Sequence, residues 1–212
     1  QFLDRFGVEI HEGYGLTETS PAAHISLPWA SKLGTVGQAL PEVETRIVDP
    51  SGAVLPAGQD GEVQLRGPNV MRGYHGMPEA TAKVLDADGW FRTGDMGQLD
   101  ADGYLSITGR IKEMLIVGGE NVFPREIESV LEAHPDVEAC GVIGRSDDKR
   151  GEVPVAFVEL RDDSSLQPGE LRTWAGGRLA PYQCPREVLV VESLPRNPTG
   201  KVQRRALHAL LP

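Results

Sequence analysis

Between residues 43 and 48 apolar and polar positions alternate, and the run then meets Asp49-Pro50-Ser51-Gly52, a turn sequence. That pattern predicts a strand with one buried face. Alternation returns over residues 61–66 and 104–108, with Asp88-Gly89 and Asp102-Gly103 as further turn signals. Residues 8–10 predict a short strand running into the glycine loop Gly13-Tyr14-Gly15-Leu16-Thr17-Glu18. Residues 78–85 suit a short helix with Pro78 in its first turn. The first half therefore reads as short antiparallel strands, a small barrel or sandwich.

After Arg110 the pattern changes. Residues 114–117 predict a strand, and Pro124 opens a helix with Glu126 and Glu128 near its positive end. Ile127, Val130 and Leu131 fall at i, i+3, i+4 and predict its buried stripe. Strands are expected over 137–143, 153–160 and 187–192, with helices over 169–179 and 206–211. The fold class expected is α+β: a β-rich, barrel-like part over residues 1–109, then an α+β domain over 110–212 of ordinary domain size.

The 212 residues, 40% hydrophobic, suffice for one or two packed cores. A net charge of -10, with no basic run longer than Arg204-Arg205, argues against a nucleic-acid groove. It leaves room for a small polyanion held by a few local cations. Apolar runs are too short to span a bilayer. Cys140 and Cys184, the only cysteines, are no disulfide framework and read as two buried thiols in a reducing compartment. The start at Gln1 shows no initiator Met or signal sequence and reads as a cut inside a longer protein.

Several short motifs carry chemistry. In the loop of residues 13–18, glycines permit close backbone approach, Tyr14 offers a flat face, Thr17 a donor and Glu18 a hard oxygen for magnesium. The plain alternative is a solvated Gly-rich turn. Trp90-Phe91-Arg92-Thr93-Gly94-Asp95 ends in a carboxylate on a glycine turn, able to accept two ribose hydroxyls or simply to form the turn. Arg110 and Lys112 place two cations at the domain boundary, as ribose ligand and pivot or as a charged linker. Gly118-Gly119-Glu120-Asn121 reads as a flexible loop whose bare backbone suits a narrow thiol tunnel. Pro198-Thr199-Gly200-Lys201 fails as a Walker A loop, because Pro195 and Val202 stand where Gly and Ser/Thr are needed. Lys201 is then a lone lysine on a turn.

Taken in order, GYGLTE, WFRTGD, GRIKEMLIVGGENVFPREIE and PRNPTGKVQRR resemble the signature motifs of the adenylate-forming superfamily. That superfamily includes acyl- and aryl-CoA ligases, peptide-synthetase adenylation domains and beetle luciferases. Arg150-Gly151-Glu152 and Ala180-Pro181-Tyr182 are similar to ligase residues too.

The resemblance implies the end of a large amino-terminal domain over 1–109 and a mobile carboxyl-terminal lid over 110–212. It implies an acyl-CoA synthetase using ATP, magnesium and coenzyme A on a fatty or aryl carboxylic acid, in the cytoplasm. By residue, it implies Tyr14 against adenine, Thr17 on the AMP phosphate, Glu18 on magnesium, and Asp95 and Arg110 on ribose. Lys112 would be the hinge, Lys201 the lysine bridging carboxylate and α-phosphate, Gly119 part of the pantetheine tunnel, and Arg150 and Tyr182 beside the CoA nucleotide. At Cys184 the chain departs from the pattern, since one relative has Arg there. The family's phosphate loop and most of the acyl pocket lie upstream of GYGLTE in relatives. The 212 residues alone are therefore expected to be inactive without the amino-terminal part of the same protein; a homodimer is compatible. Two rivals stay open: an adenylating enzyme that loads a carrier-protein phosphopantetheine or stops at acyl-AMP, and a non-catalytic module binding CoA or AMP.

Overall fold

A computed structural model of the chain describes residues 2–211, apart from the side chain of Asp4. The chain divides into two compact units, residues 1–111 and 112–212. The first opens with helix α1 (Phe2–Phe6), then three two-residue strands, β1 (Gly13–Tyr14), β2 (His24–Ile25) and β3 (Gln38–Ala39), in one antiparallel ladder. The strand expected over residues 8–10 is not formed. Val8 and Ile10 are exposed, so no buried face rewards the extended pairing that their β propensity favours.

A four-stranded antiparallel meander follows: β4 (Glu44–Val48), β5 (Gly61–Arg66), β6 (Phe91–Leu99) and β7 (Leu105–Arg110). Helix α2 (Pro78–Val84) sits between β5 and β6 with proline in its first turn. Ile47, Val63, Leu65 and Leu105 turn inward against Ala23 and form the core of the unit. The two sheets are also joined by hydrogen bonds. His24 Nε2 meets Thr45 Oγ1 at 2.7 Å on β4, and the Val36 amide donates to Leu105 O of β7 at 2.8 Å. Away from that core, Trp90 lies between the guanidinium groups of Arg46 and Arg66, 4.1 and 4.6 Å from its ring centre.

The second unit starts with the hairpin β8 (Leu115–Val117) and β9 (Glu120–Val122), then α3 (Pro124–Glu132), the long antiparallel pair β10 (Val137–Asp147) and β11 (Gly151–Leu160), α4 (Pro168–Gly176), β12 (Glu187–Val190) and α5 (Arg204–Leu207). β11 is central, antiparallel to β10 and parallel to β12, and one bridge at Gly151 joins it to β8. Ala156 and Val158 face a core closed by Ile127 and Leu131 of α3 and Leu171 and Ala175 of α4. Val155 and Phe157 face the other side, where Leu194 and Leu207 of the closing segment pack. Burial on both faces explains the nearly unbroken apolar run of β11.

Candidate nucleotide cradle and lysine turn

The glycine loop is built for close approach. A Cβ on Gly15 would lie 1.9 Å from the Pro21 carbonyl oxygen, so only glycine fits. The loop then turns through a short 3-10 helix at Thr17–Thr19, where the buried Thr19 hydroxyl accepts from the Leu16 amide at 2.8 Å. Asn69 straps the loop from a distance, its Nδ2 donating to Ala22 O at 2.7 Å, and the Met71 amide donates to Glu18 O at 2.8 Å.

Asp95 does not end on a turn, as the sequence suggests. It lies inside β6, at a bulge where residues 93–95 stand opposite the single Val63. The Thr93 hydroxyl donates to Val63 O at 2.7 Å and accepts from the Asp95 amide at 3.0 Å, which fixes the bulge. The bulge aims a carboxylate only 4% exposed at two remote partners. Tyr14 OH donates to Asp95 Oδ2 at 2.7 Å, and Arg110 Nε lies 3.1 Å from Oδ1. Arg110 itself is half exposed at the end of β7. Burial, and then the Asp95 charge, push the Tyr14 phenol well above its usual range, so it stays a donor.

Beside this cluster in sequence, Glu18 Oε1 accepts from Tyr74 OH at 2.9 Å. Tyr74 is raised too, by burial and by Glu18. Thr17 is exposed. Tyr74, Asn69 and Thr93 support the site without a role assigned from the sequence: the first two are ordinary residues between motifs, Thr93 stands unremarked inside one, and all act through partners 30 to 56 positions away.

In the second unit the expected loop is partly strand: Glu120 and Asn121 lie in β9, and the diglycine makes the turn that leads into it. Gly118 and Gly119, at φ 63° and 92°, form a two-residue turn between Val117 and its partner Glu120, a backbone conformation that residues with a side chain adopt only at a cost. The Gly118 amide donates to Arg150 O at 2.8 Å, which sets the turn beside the β10–β11 hairpin. Arg150 is exposed and, with Arg172, Arg186 and Cys184, lines a cavity of about 160 Å³. Cys184 is half-buried rather than buried, whereas burial pushes the Cys140 thiol upward. Tyr182 packs against the helix-covered core and does not line that cavity.

Lys201 is exposed at the end of an Asx-type turn. Asn197 Oδ1 accepts from the Thr199 hydroxyl at 2.8 Å and from the Thr199 and Lys201 amides at 3.0 and 2.9 Å, and Arg196 bridges to Val202. Among the described residues its ammonium forms no ion pair. Lys112 is exposed in the 3-10 turn Ile111–Glu113, where the chain passes between units. Among the described residues there is no cluster of three metal-ligating side chains, and no helix is long and apolar enough to cross a membrane.

Comparison with known proteins matches both units. Residues 1–75 fit the AMP-binding enzyme family and residues 126–201 the AMP-binding enzyme C-terminal domain. The chain is 43% identical over 208 residues to a feruloyl-CoA synthase of an Amycolatopsis species, covering 95% of this chain and 41% of that protein. It is 42% identical over 207 residues to the fatty acid–[acyl-carrier-protein] ligase ScoC of Streptomyces coeruleorubidus, covering 94% of this chain and 39% of that one. Its fold matches the crystal structure of ATP-bound MatB from Rhodopseudomonas palustris with a TM-score of 0.89 at 39% identity, over 96% of this chain and 41% of the other. The chain thus spans about two fifths of the length of these relatives. Matched in sequence and in fold across both units, the chain belongs to the AMP-binding, or adenylate-forming, enzyme family.

Proposed function

We propose that the chain serves an ATP-dependent carboxylic acid–CoA ligase. In the first step a carboxylate oxygen attacks the α-phosphorus of ATP, forming acyl-AMP and expelling pyrophosphate. In the second, the CoA sulfur attacks the acyl carbon, loses its proton, and expels AMP. The observation that carries the reading is the Tyr14–Asp95–Arg110 cluster, drawn from three separate motifs around one buried carboxylate.

In this reading Asp95 accepts from the ribose hydroxyls, Arg110 donates to the ribose, and the Tyr14 ring lies against adenine. Thr17 contacts the α-phosphate. Glu18 has one oxygen engaged by Tyr74, which suits a magnesium ion bound otherwise by phosphates and water. That ion, when bound, offsets phosphate charge. Lys201 draws the carboxylate and the α-phosphate together. One unit charge at about 4 Å is worth on the order of 4 kcal/mol at an effective dielectric of about 20. The first unit is barrel-like, and the second is a mobile lid turning on Lys112, so that Lys201 serves the first step and the Gly118-Gly119 turn lines the thiol path in the second. Arg150 and Tyr182 then face the CoA nucleotide.

The test uses the full-length protein with ATP, magnesium, CoA and an aromatic propenoic acid, the type of acid the feruloyl-CoA synthase names. Acid-dependent formation of AMP, pyrophosphate and a CoA thioester is expected; ADP as product would contradict the reading. A second reading, transfer to a carrier-protein phosphopantetheine, is favoured by the likeness to the acyl-carrier-protein ligase. Thioester on a holo-carrier but none on free CoA would select it. AMP binding without any acid-dependent pyrophosphate release would leave the non-catalytic module.

A further inference from the structure

Three residues beyond Lys201, Arg204 lies across the second unit. Its Nε and Nη2 donate to the two oxygens of Glu128, at 2.9 and 2.6 Å, and its Nη1 donates to Glu113. Glu128 is 3% exposed and also accepts from the Val142 amide at 2.9 Å, so α3, β10 and α5 meet on one carboxylate. Glu113 is the residue after Lys112, in the same 3-10 turn. On the far side of the lysine turn, Arg196 pairs with Glu159 of β11 at 3.1 Å and donates to Gly200 O at 3.2 Å. The turn is therefore held at both ends by arginines, and one of them reaches the segment next to the pivot.

We infer that Arg204 is a positioning residue, which ties the Lys201 turn to the Glu113 carboxylate beside Lys112 so that pivot and lysine move as one rigid body. The inference rests on the proposed roles of Lys201 and Lys112. A guanidinium suits the task, since its planar fork engages Glu128 with two nitrogens and leaves a third for Glu113. Misplacing a reacting group by about 1 Å costs up to about 10²-fold in rate, so slack in this link falls on the step that needs the lysine. The Gly118-Gly119 turn hangs on β8 and β9, and none of its hydrogen bonds passes through Arg204.

The test compares Arg204→Met, Glu113→Gln, Lys201→Ala and the Arg204→Met/Lys201→Ala double variant in the full-length enzyme. Adenylation is read by acid-dependent pyrophosphate exchange, thioester formation from supplied acyl-AMP, and folding by thermal midpoint. Arg204→Met is expected to slow adenylation by about tenfold or more while thioester formation changes by less than about threefold. Glu113→Gln, which leaves the Glu128 pairing intact, is expected to do the same more mildly without lowering the midpoint. The double variant should adenylate no more slowly than Lys201→Ala alone. Equal losses in both half-reactions, or normal adenylation in Glu113→Gln, would overturn the inference. Normal adenylation by Lys201→Ala would remove the proposed lysine role and this inference together.

Discussion

Asp95 is a carboxylate almost closed to solvent, and its two oxygens are shared between a phenol and a guanidinium. Hydrogen bonds of this charge-assisted kind are stronger than neutral ones. Asp95→Asn removes the charge while keeping the shape, and is expected to weaken AMP binding about tenfold or more, as read by calorimetry on the full-length protein. Tyr14→Phe keeps the ring and loses only the donor. It is expected to cost about 1–2 kcal/mol of stability and to change AMP affinity only a few-fold. His24 gives a prediction in pH. Burial lowers it from 6.5, against the Gly37 carbonyl 3.2 Å from Nδ1, which favours the charged form. A folded value below the unfolded one means the unfolded chain takes up the proton first as pH falls. The His24 contribution is thus present above pH 6.5 and is lost as pH falls through the lowered value. Thermal midpoints of wild type and His24→Gln should therefore converge between about pH 7 and 5, and parallel curves would refute this. Tyr14, Asp95 and Arg110 each stood out in the sequence by motif. Their meeting did not, because the bond between Tyr14 and Asp95 closes across 81 residues and depends on a bulge that no local pattern marks.

At the scale of elements, the Gly118-Gly119 turn and α3 show how local rules and distant partners divide the work. Gly119→Ala puts a side chain at φ 92° and is expected to cost about 1–2 kcal/mol, measurable by denaturant unfolding. β5, spanning Gly61–Arg66, was legible from alternation alone, because its inward Val63 and Leu65 obey the two-residue period. α3 was legible in position but only in part in its buried face. Ile127 and Leu131 are buried as expected, Val130 is only half-buried, and Glu128 takes an interior place. A carboxylate in that place is explained by Arg204, 76 residues away, and by the Val142 amide, partners that periodicity cannot supply. Glu128→Ala leaves the Val142 amide without its acceptor and Arg204 with Glu113 alone. It is expected to destabilise the second unit by about 3 kcal/mol or more.

At the scale of the whole molecule, the groups proposed to face the nucleotide lie in one unit and the lysine proposed to act in adenylation lies in the other, with Lys112 at the passage between them. The sequence places a boundary near Gly109-Arg110 by a change of pattern, and the two compact units part after Ile111. The structure carries β7 through Arg110, because that residue pairs with Asp95 in the ladder. A lysine on a separate unit has chemical sense if it is needed for one reaction step and must leave for the next. The most direct measurement is therefore on Lys201→Ala in the full-length enzyme, with acid-dependent pyrophosphate exchange and thioester formation from supplied acyl-AMP measured side by side. Exchange should fall by about 10² or more while thioester formation stays near wild type. Equal losses in the two half-reactions, or exchange that survives intact, would contradict the account.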